Sequence, residues 1–129
     1  MIIDEYATLK GHMEGTMKIQ AVTISVSDLQ SSKRFYEEVL GFEPDILYEK
    51  WQSYKSEESS CFAIIEVPDL IRPQTMDIIN FTIPNVNSFW NEIKDKVEAE
   101  MSPTKTPWGS YKIVVLDPDG YRIGFVEGA

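Results

Sequence analysis

The chain has 129 residues, 43% of them hydrophobic and 26% charged, with a formal net charge of −9. That length suits one compact domain with its own core, while the acidity excludes the basic footprint that nucleic-acid binding needs. No apolar run approaches the ~18 residues of a membrane span. The surplus of carboxylates has two readings: solubility, or a field that draws a cationic ligand.

Residues 1–16 read as an N-terminal extension outside the domain. Met1-Ile2-Ile3-Asp4-Glu5 lacks the basic flank and apolar core of a secretion signal. Tyr6 and Leu9 hint at a helical turn, and the chain's one histidine, His12, lies close by. From Lys18 to Ser27, apolar Val22, Ile24 and Val26 alternate with Thr23, Ser25 and Ser27, which predicts a half-buried strand. Asp28 is placed to cap a helix whose stripe is Leu29, Phe35, Tyr36, Val39 and Leu40. Gly41 suits the left-handed residue that ends it. Ile46–Tyr48, Trp51–Ser56 and Cys61–Val67 follow as short strands. Cys61 is a lone cysteine, so no intrachain disulfide framework exists, and a reducing, cytoplasmic compartment is expected.

Pro68-Asp69-Leu70-Ile71-Arg72-Pro73 starts a connector, 69–75, and the order then begins again. Ile79, Phe81 and Ile83 alternate with Asn80 and Thr82, Asn85 takes the cap position, and Val86, Phe89, Trp90, Ile93 and Val97 form the next helical stripe. Glu98–Met101 reads as a short strand before a Ser/Pro/Thr loop, and Tyr111–Leu116 with Tyr121–Glu127 reads as a hairpin turned by Asp117-Pro118-Asp119-Gly120. Fifty-seven residues separate Val22–Asp28 from its echo Ile79–Asn85, and the same offset carries Trp51-Gln52-Ser53-Tyr54-Lys55 onto Trp108-Gly109-Ser110-Tyr111-Lys112. Phe62–Glu66 falls on Ile123–Glu127 at an offset of sixty-one, which places four extra residues in the Asp-Pro-Asp-Gly turn. A period of this size marks a duplicated supersecondary unit. One domain over 17–129 is therefore expected, built from repeats 17–68 and 76–127.

Val26-Ser27-Asp28-Leu29, then Phe35-Tyr36-Glu37-Glu38-Val39-Leu40-Gly41-Phe42, and finally the Trp-Gly … Asp-Pro-Asp-Gly ending make the chain resemble the vicinal oxygen chelate superfamily. Glyoxalase I, extradiol dioxygenases, fosfomycin-resistance enzymes and metal-free bleomycin-resistance proteins belong to that group. The resemblance spans about residues 17–127 and implies an α+β fold, two β-α-β-β-β modules forming a cup-shaped mixed sheet. It also implies a homodimer.

Metal-using members take a first-strand ligand seven residues before the helix-opening Asp, and a Glu four residues after the glycine of the Asp-Pro-Asp-Gly turn. Carried onto this sequence, those positions are Ala21 and Ile78, then Gly124 and its repeat partner Ala63. None has a side-chain lone pair to offer a metal. Glu66 and Glu127 lie three residues further on, which in a strand is the opposite face. No metal site and no cofactor are expected.

What remains is a cup lined by residues of ligand parity: Thr23, Ser25, Asn80 and Thr82, with Cys61, Ile65 and Arg122 on the last strands. Trp51 and Trp108, at matching places in the repeats, either flank a planar or cationic ligand or pack under the sheet or in a dimer interface. Arg122 either anchors a ligand or forms a surface ion pair. The expected function is metal-independent binding of a small organic molecule, aromatic or cationic, in the manner of bleomycin-resistance proteins. A glyoxalase- or dioxygenase-type enzyme with a non-standard site, and a dimeric sensor module whose cup is filled by its own side chains, stand as alternatives.

Overall fold

A computed structural model describes residues 19–57, 60–71 and 77–128. The expected 1–16 extension, with its helical turn and His12, and much of the 69–75 connector lie outside those residues. In chain order the elements are β1 (Ala21–Val26), α1 (Leu29–Lys33) running directly into a π-helical stretch (Arg34–Val39), β2 (Pro44–Tyr48), β3 (Trp51–Tyr54) and β4 (Cys61–Glu66). The second set is β5 (Ile78–Ile83), α2 (Val86–Ile93), β6 (Glu98–Lys105), β7 (Tyr111–Leu116) and β8 (Arg122–Glu127). The fold is α+β. Its strands form two four-stranded sheets ordered β1-β4-β3-β2 and β5-β8-β7-β6. Only the β1–β4 and β5–β8 pairs are parallel among the described strands, so each sheet is mixed.

Both helices start as their capping residues dictate. Asp28 accepts from Ser31 N at 3.0 Å, and Asn85 accepts from Ser88 N at 2.9 Å. A second carboxylate reinforces each start: Glu66 accepts from Leu29 N at 2.9 Å and Glu127 from Val86 N at 3.0 Å. These glutamates therefore point to the helix side of their sheets, as strand alternation predicts. The first helix departs from the expected α-helix after Lys33, where Leu40 N reaches back five residues to Phe35 O at 3.0 Å. That wider turn lets Phe35, Val39 and Leu40 share one apolar face. Gly41 then reverses the chain at φ +80°.

Helices and sheets meet in one core. Ile24, Val26, Phe62 and Ile64 of the first sheet share one buried cluster with Ile113, Val115, Ile123 and Phe125 of the second. Aromatic rings bridge the two sets: Phe42 and Phe81 lie 5.1 Å apart, Phe62 and Phe81 5.4 Å. The sheets thus pack through their helix-bearing faces and turn their other faces outward. Phe35, Tyr36, Phe89 and Trp90 pack in or against this core, as their helical stripes predict.

Strand register corrects one sequence expectation. Trp51 pairs with Ile65 on β4, whereas the residue pairing with the equivalent Val126 on β8 is Lys112. Trp51 therefore corresponds to Lys112, and Trp108 has no counterpart in the first repeat. The additional residues lie in the β6–β7 loop, not in the Asp-Pro-Asp-Gly turn. That loop is closed by Thr106 N donating to Ser110 O at 2.7 Å, whereas β2 and β3 are joined by Glu49 and Lys50 alone. Gly109 sits at φ +99°, so it turns the chain where Gln52 continues a strand. A second correction concerns β6, which extends through the expected Ser/Pro/Thr loop to Lys105. β6 is an edge strand with an irregular register, the setting in which a proline's missing N–H is tolerated.

Candidate functional site

The outward faces can be read row by row, because cross-strand partners share a face. On the first sheet, Ser25, Ile65, Trp51 and Tyr48 form one row, and Thr23, Ala63 and Ser53 the next. On the second, Thr82, Val126, Lys112 and Thr104 form one row. Asn80, Gly124, Val114 and Met101 follow, then Ile78, Arg122, Leu116 and Glu98. Thr23, Ser25 and Trp51 therefore share a face, as do Asn80, Thr82 and Arg122. The sheets pack back to back, so a single chain does not bring the two sets together. The expected cup between the modules is not enclosed by one chain. Trp108 lies on neither face; it is 77% exposed in the β6–β7 loop.

The two faces differ in chemistry. The first is aromatic and apolar, with Tyr48 68% exposed beside Trp51 and Ile65. The second is mixed: polar Asn80, Thr82 and Lys112 lie among Val114, Val126 and Ile78. Arg122 holds Glu100 through its Nε at 2.9 Å and a second guanidinium nitrogen at 2.8 Å. Lys112 donates from Nζ to Asn80 Oδ1 at 3.0 Å while only 8% exposed. Burial pulls its pKa down from the usual lysine value, and the Arg122 charge adds to the effect. Sequence reasoning missed Lys112, although its parity within Tyr111–Leu116 puts it on the outward face.

The four positions of family metal ligands fall on these faces, and their chemistry does not suit a metal. Ala21, Ala63, Ile78 and Gly124 bring no donor atoms. A Cβ built on Gly124 would come within 2.0 Å of Asn80 Oδ1. At Gly124 the space a ligand side chain would need is filled by the Asn80 amide, and the Lys112 ammonium bonded to that amide repels a cation. Among the described residues, no three His, Cys, Asp or Glu side chains converge as a metal site would require.

Beside Asn80, an open cleft of about 710 Å³ runs along the edge strand β5. Its walls come from Asn80 to Pro84 and Gly128 on one side, and from Ser56, Glu57 and Ser60 on the other. It joins an edge of one module to the β3–β4 turn of the other.

The motifs behind the family resemblance meet in space but serve the core. Tyr36, fully buried, donates to Asp117 Oδ2 at 2.8 Å. Asp117 Oδ1 accepts from Asp119 N at 3.0 Å and Tyr121 N at 2.7 Å, closing the turn. Asp119 Oδ2 accepts from Ser27 N at 3.1 Å. The Asp-Pro-Asp-Gly turn is thus a clasp from the second module onto the first. Burial raises the pKa of both Tyr36 and Asp117; for Asp117, the hydrogen bonds from Tyr36, Tyr121 and Asp119 act against it.

Comparison with known proteins fits this architecture. A family model described as "Glyoxalase/Bleomycin resistance protein/Dioxygenase superfamily" matches residues 18–125. No curated protein matches the sequence. A protein of unknown function from Agrobacterium tumefaciens str. C58 superposes with a TM-score of 0.73 at 21% identity, covering 89% of this chain and 97% of its own. A glyoxalase-related enzyme from Fulvimarina pelagi gives 0.72 at 19%, covering 88% and 89%. A lactoylglutathione lyase from Agrobacterium tumefaciens gives 0.71 at 18%, covering 89% and 96%. At these identities the likeness is one of fold.

Proposed function

We propose a function for a chain that belongs to the glyoxalase/bleomycin resistance protein/dioxygenase superfamily: it binds a small organic molecule on the outward faces of its sheets, without a resident metal ion. The observation that carries this is the replacement of the second module's metal-ligand position. Gly124 lies under the Asn80 amide, and that amide is held by an ammonium group. Donors to an organic ligand remain on this face, and an aromatic surface remains on the other. Sequestration in the bleomycin-resistance manner needs no more than these. The lyase neighbour contributes its fold, not its chemistry, to this proposal.

A second copy of the chain completes the site in this proposal. β1 and β5 are each hydrogen-bonded on one side only within their sheets, and such free edges are ready to pair. A homodimer that sets one copy's first sheet beside the other's second sheet would oppose the Trp51 face to the Lys112 face and enclose a cup. The division into repeats 17–68 and 76–127 is kept as the unit of this arrangement. Among the described residues no helix is long and apolar enough to cross a membrane, and the charge of −9 argues against nucleic acid.

Tryptophan fluorescence during a screen of small aromatic compounds tests the binding face. A saturable change that persists in Trp108→Phe and disappears in Trp51→Phe is expected. A change that follows Trp108 instead, or none with any compound, would contradict the proposal.

A further inference from the structure

Resting on the binding function just proposed, and deepening it, we propose that Lys112, Asn80 and Thr82 form an oxyanion-binding subsite that takes the carboxylate or phosphate of a small organic acid. This reverses the cationic preference that the overall acidity suggests.

The first support is an imbalance of charge. Lys50 and Lys55, with well-exposed side chains, each meet a carboxylate, Glu66 and Glu43, at 3.0 Å. Lys112 is 8% exposed as a residue, with its ammonium partly buried, yet among the described residues no carboxylate pairs with it and its hydrogen bond goes to a neutral amide. A partly desolvated ammonium gains more from a counter-charge than a fully solvated one does. In a chain with 21 acidic and 12 basic residues, the missing carboxylate is the notable fact, and a ligand can supply it.

The second support is direction. An ammonium group only donates, so Lys112 fixes the Asn80 amide with Oδ1 toward itself and Nδ2 away. Nδ2 is left with two N–H donors that no acceptor among the described residues takes. Thr82 follows two residues along the same strand face and, like Asn80, is exposed. Lys112 and Thr82 share one cross-strand row, and Asn80 lies in the next. Ammonium, amide and hydroxyl donors therefore gather on one patch, with the Arg122 charge adding positive potential although Glu100 holds its guanidinium. An oxyanion satisfies such a donor set; a cation does not. The adjoining cleft of about 710 Å³ along β5 gives room for the organic remainder.

Three probes address the subsite by ¹H–¹⁵N NMR on the full chain: benzoate, its neutral analogue benzamide, and inorganic phosphate. The expected result is saturable shifts at Asn80, Lys112 and Gly124 with benzoate, at least tenfold weaker for benzamide. Lys112→Met should lower benzoate affinity at least tenfold, and Lys112→Arg should retain most of it. The Lys112 ammonium, followed through its side-chain resonance, should titrate at higher pH with benzoate bound. Phosphate matching or exceeding benzoate would assign the subsite to phosphorylated ligands; shifts with benzoate alone would assign it to carboxylates. Benzamide binding as well as benzoate, unaffected by Lys112→Met, would overturn the anion subsite while leaving small-molecule binding intact. No shift on this face with any probe, or shifts scattered over all lysines, would overturn both.

Discussion

Tyr36 and Asp117 stand 81 positions apart in sequence and 2.8 Å apart in space. The contact ties the first helix to the last hairpin and predicts how stability responds to pH. Burial raises the Asp117 carboxyl above the ordinary 3.8, so the folded chain holds this proton to higher pH than the unfolded chain. The stability linked to that proton is complete below about pH 3.8 and is lost as pH rises through the folded pKa. Asp117→Asn keeps the shape and removes the titration. Denaturant melts at pH 4, 5 and 6 should therefore show stability rising more steeply with pH in Asp117→Asn than in the parent; parallel profiles would contradict the assignment. At this scale the sequence was partly legible. Ala21, Ala63, Ile78 and Gly124 were located through the family resemblance, by carrying its ligand spacing onto this sequence. Lys112 was missed although its parity gives its face, because the false echo of W-Q-S-Y-K in W-G-S-Y-K matched Trp51 to Trp108 and hid that Lys112 is its counterpart.

At the scale of elements, each helix start has two independent acceptors, one from the cap residue and one from the glutamate that ends the module's last strand. Asn85→Ala should lower stability by about 1 kcal/mol, the usual cost of losing a cap. Asn85→Ala combined with Glu127→Ala should cost more than either change alone, because the two acceptors bond different backbone N–H groups of the same turn. Chemical denaturation of the two single variants and the double variant measures this, and a silent Glu127→Ala would show that its contact contributes nothing. Most strands and both helix starts were readable from alternation and caps, since those signals are local. Local signals misjudged Ser102–Lys105, where an edge position admits Pro103 into a strand. They also missed the π-helical stretch from Arg34, which depends on the facing core rather than on residue spacing.

On the scale of the whole molecule, back-to-back packing leaves two outward faces of unlike chemistry, an indole on one and an ammonium in the matching row of the other. That asymmetry could not be read from a repeat taken as symmetric. If those faces meet in a homodimer, analytical ultracentrifugation should give twice the 14.8 kDa chain mass. A substitution such as Thr23→Arg on the β1 face should shift the distribution toward monomer, whereas a single monomeric species for the parent would contradict the arrangement.

The most direct test is elemental mass spectrometry of the purified chain before and after incubation with Ni²⁺, Zn²⁺, Mn²⁺ and Fe²⁺. With Gly124 covered by Asn80 and Lys112 beside it, each metal should stay below about a tenth of an equivalent per chain, as donor-free positions imply. Close to one tightly held equivalent would contradict the account and move the chain to the metal-dependent enzymes of its superfamily.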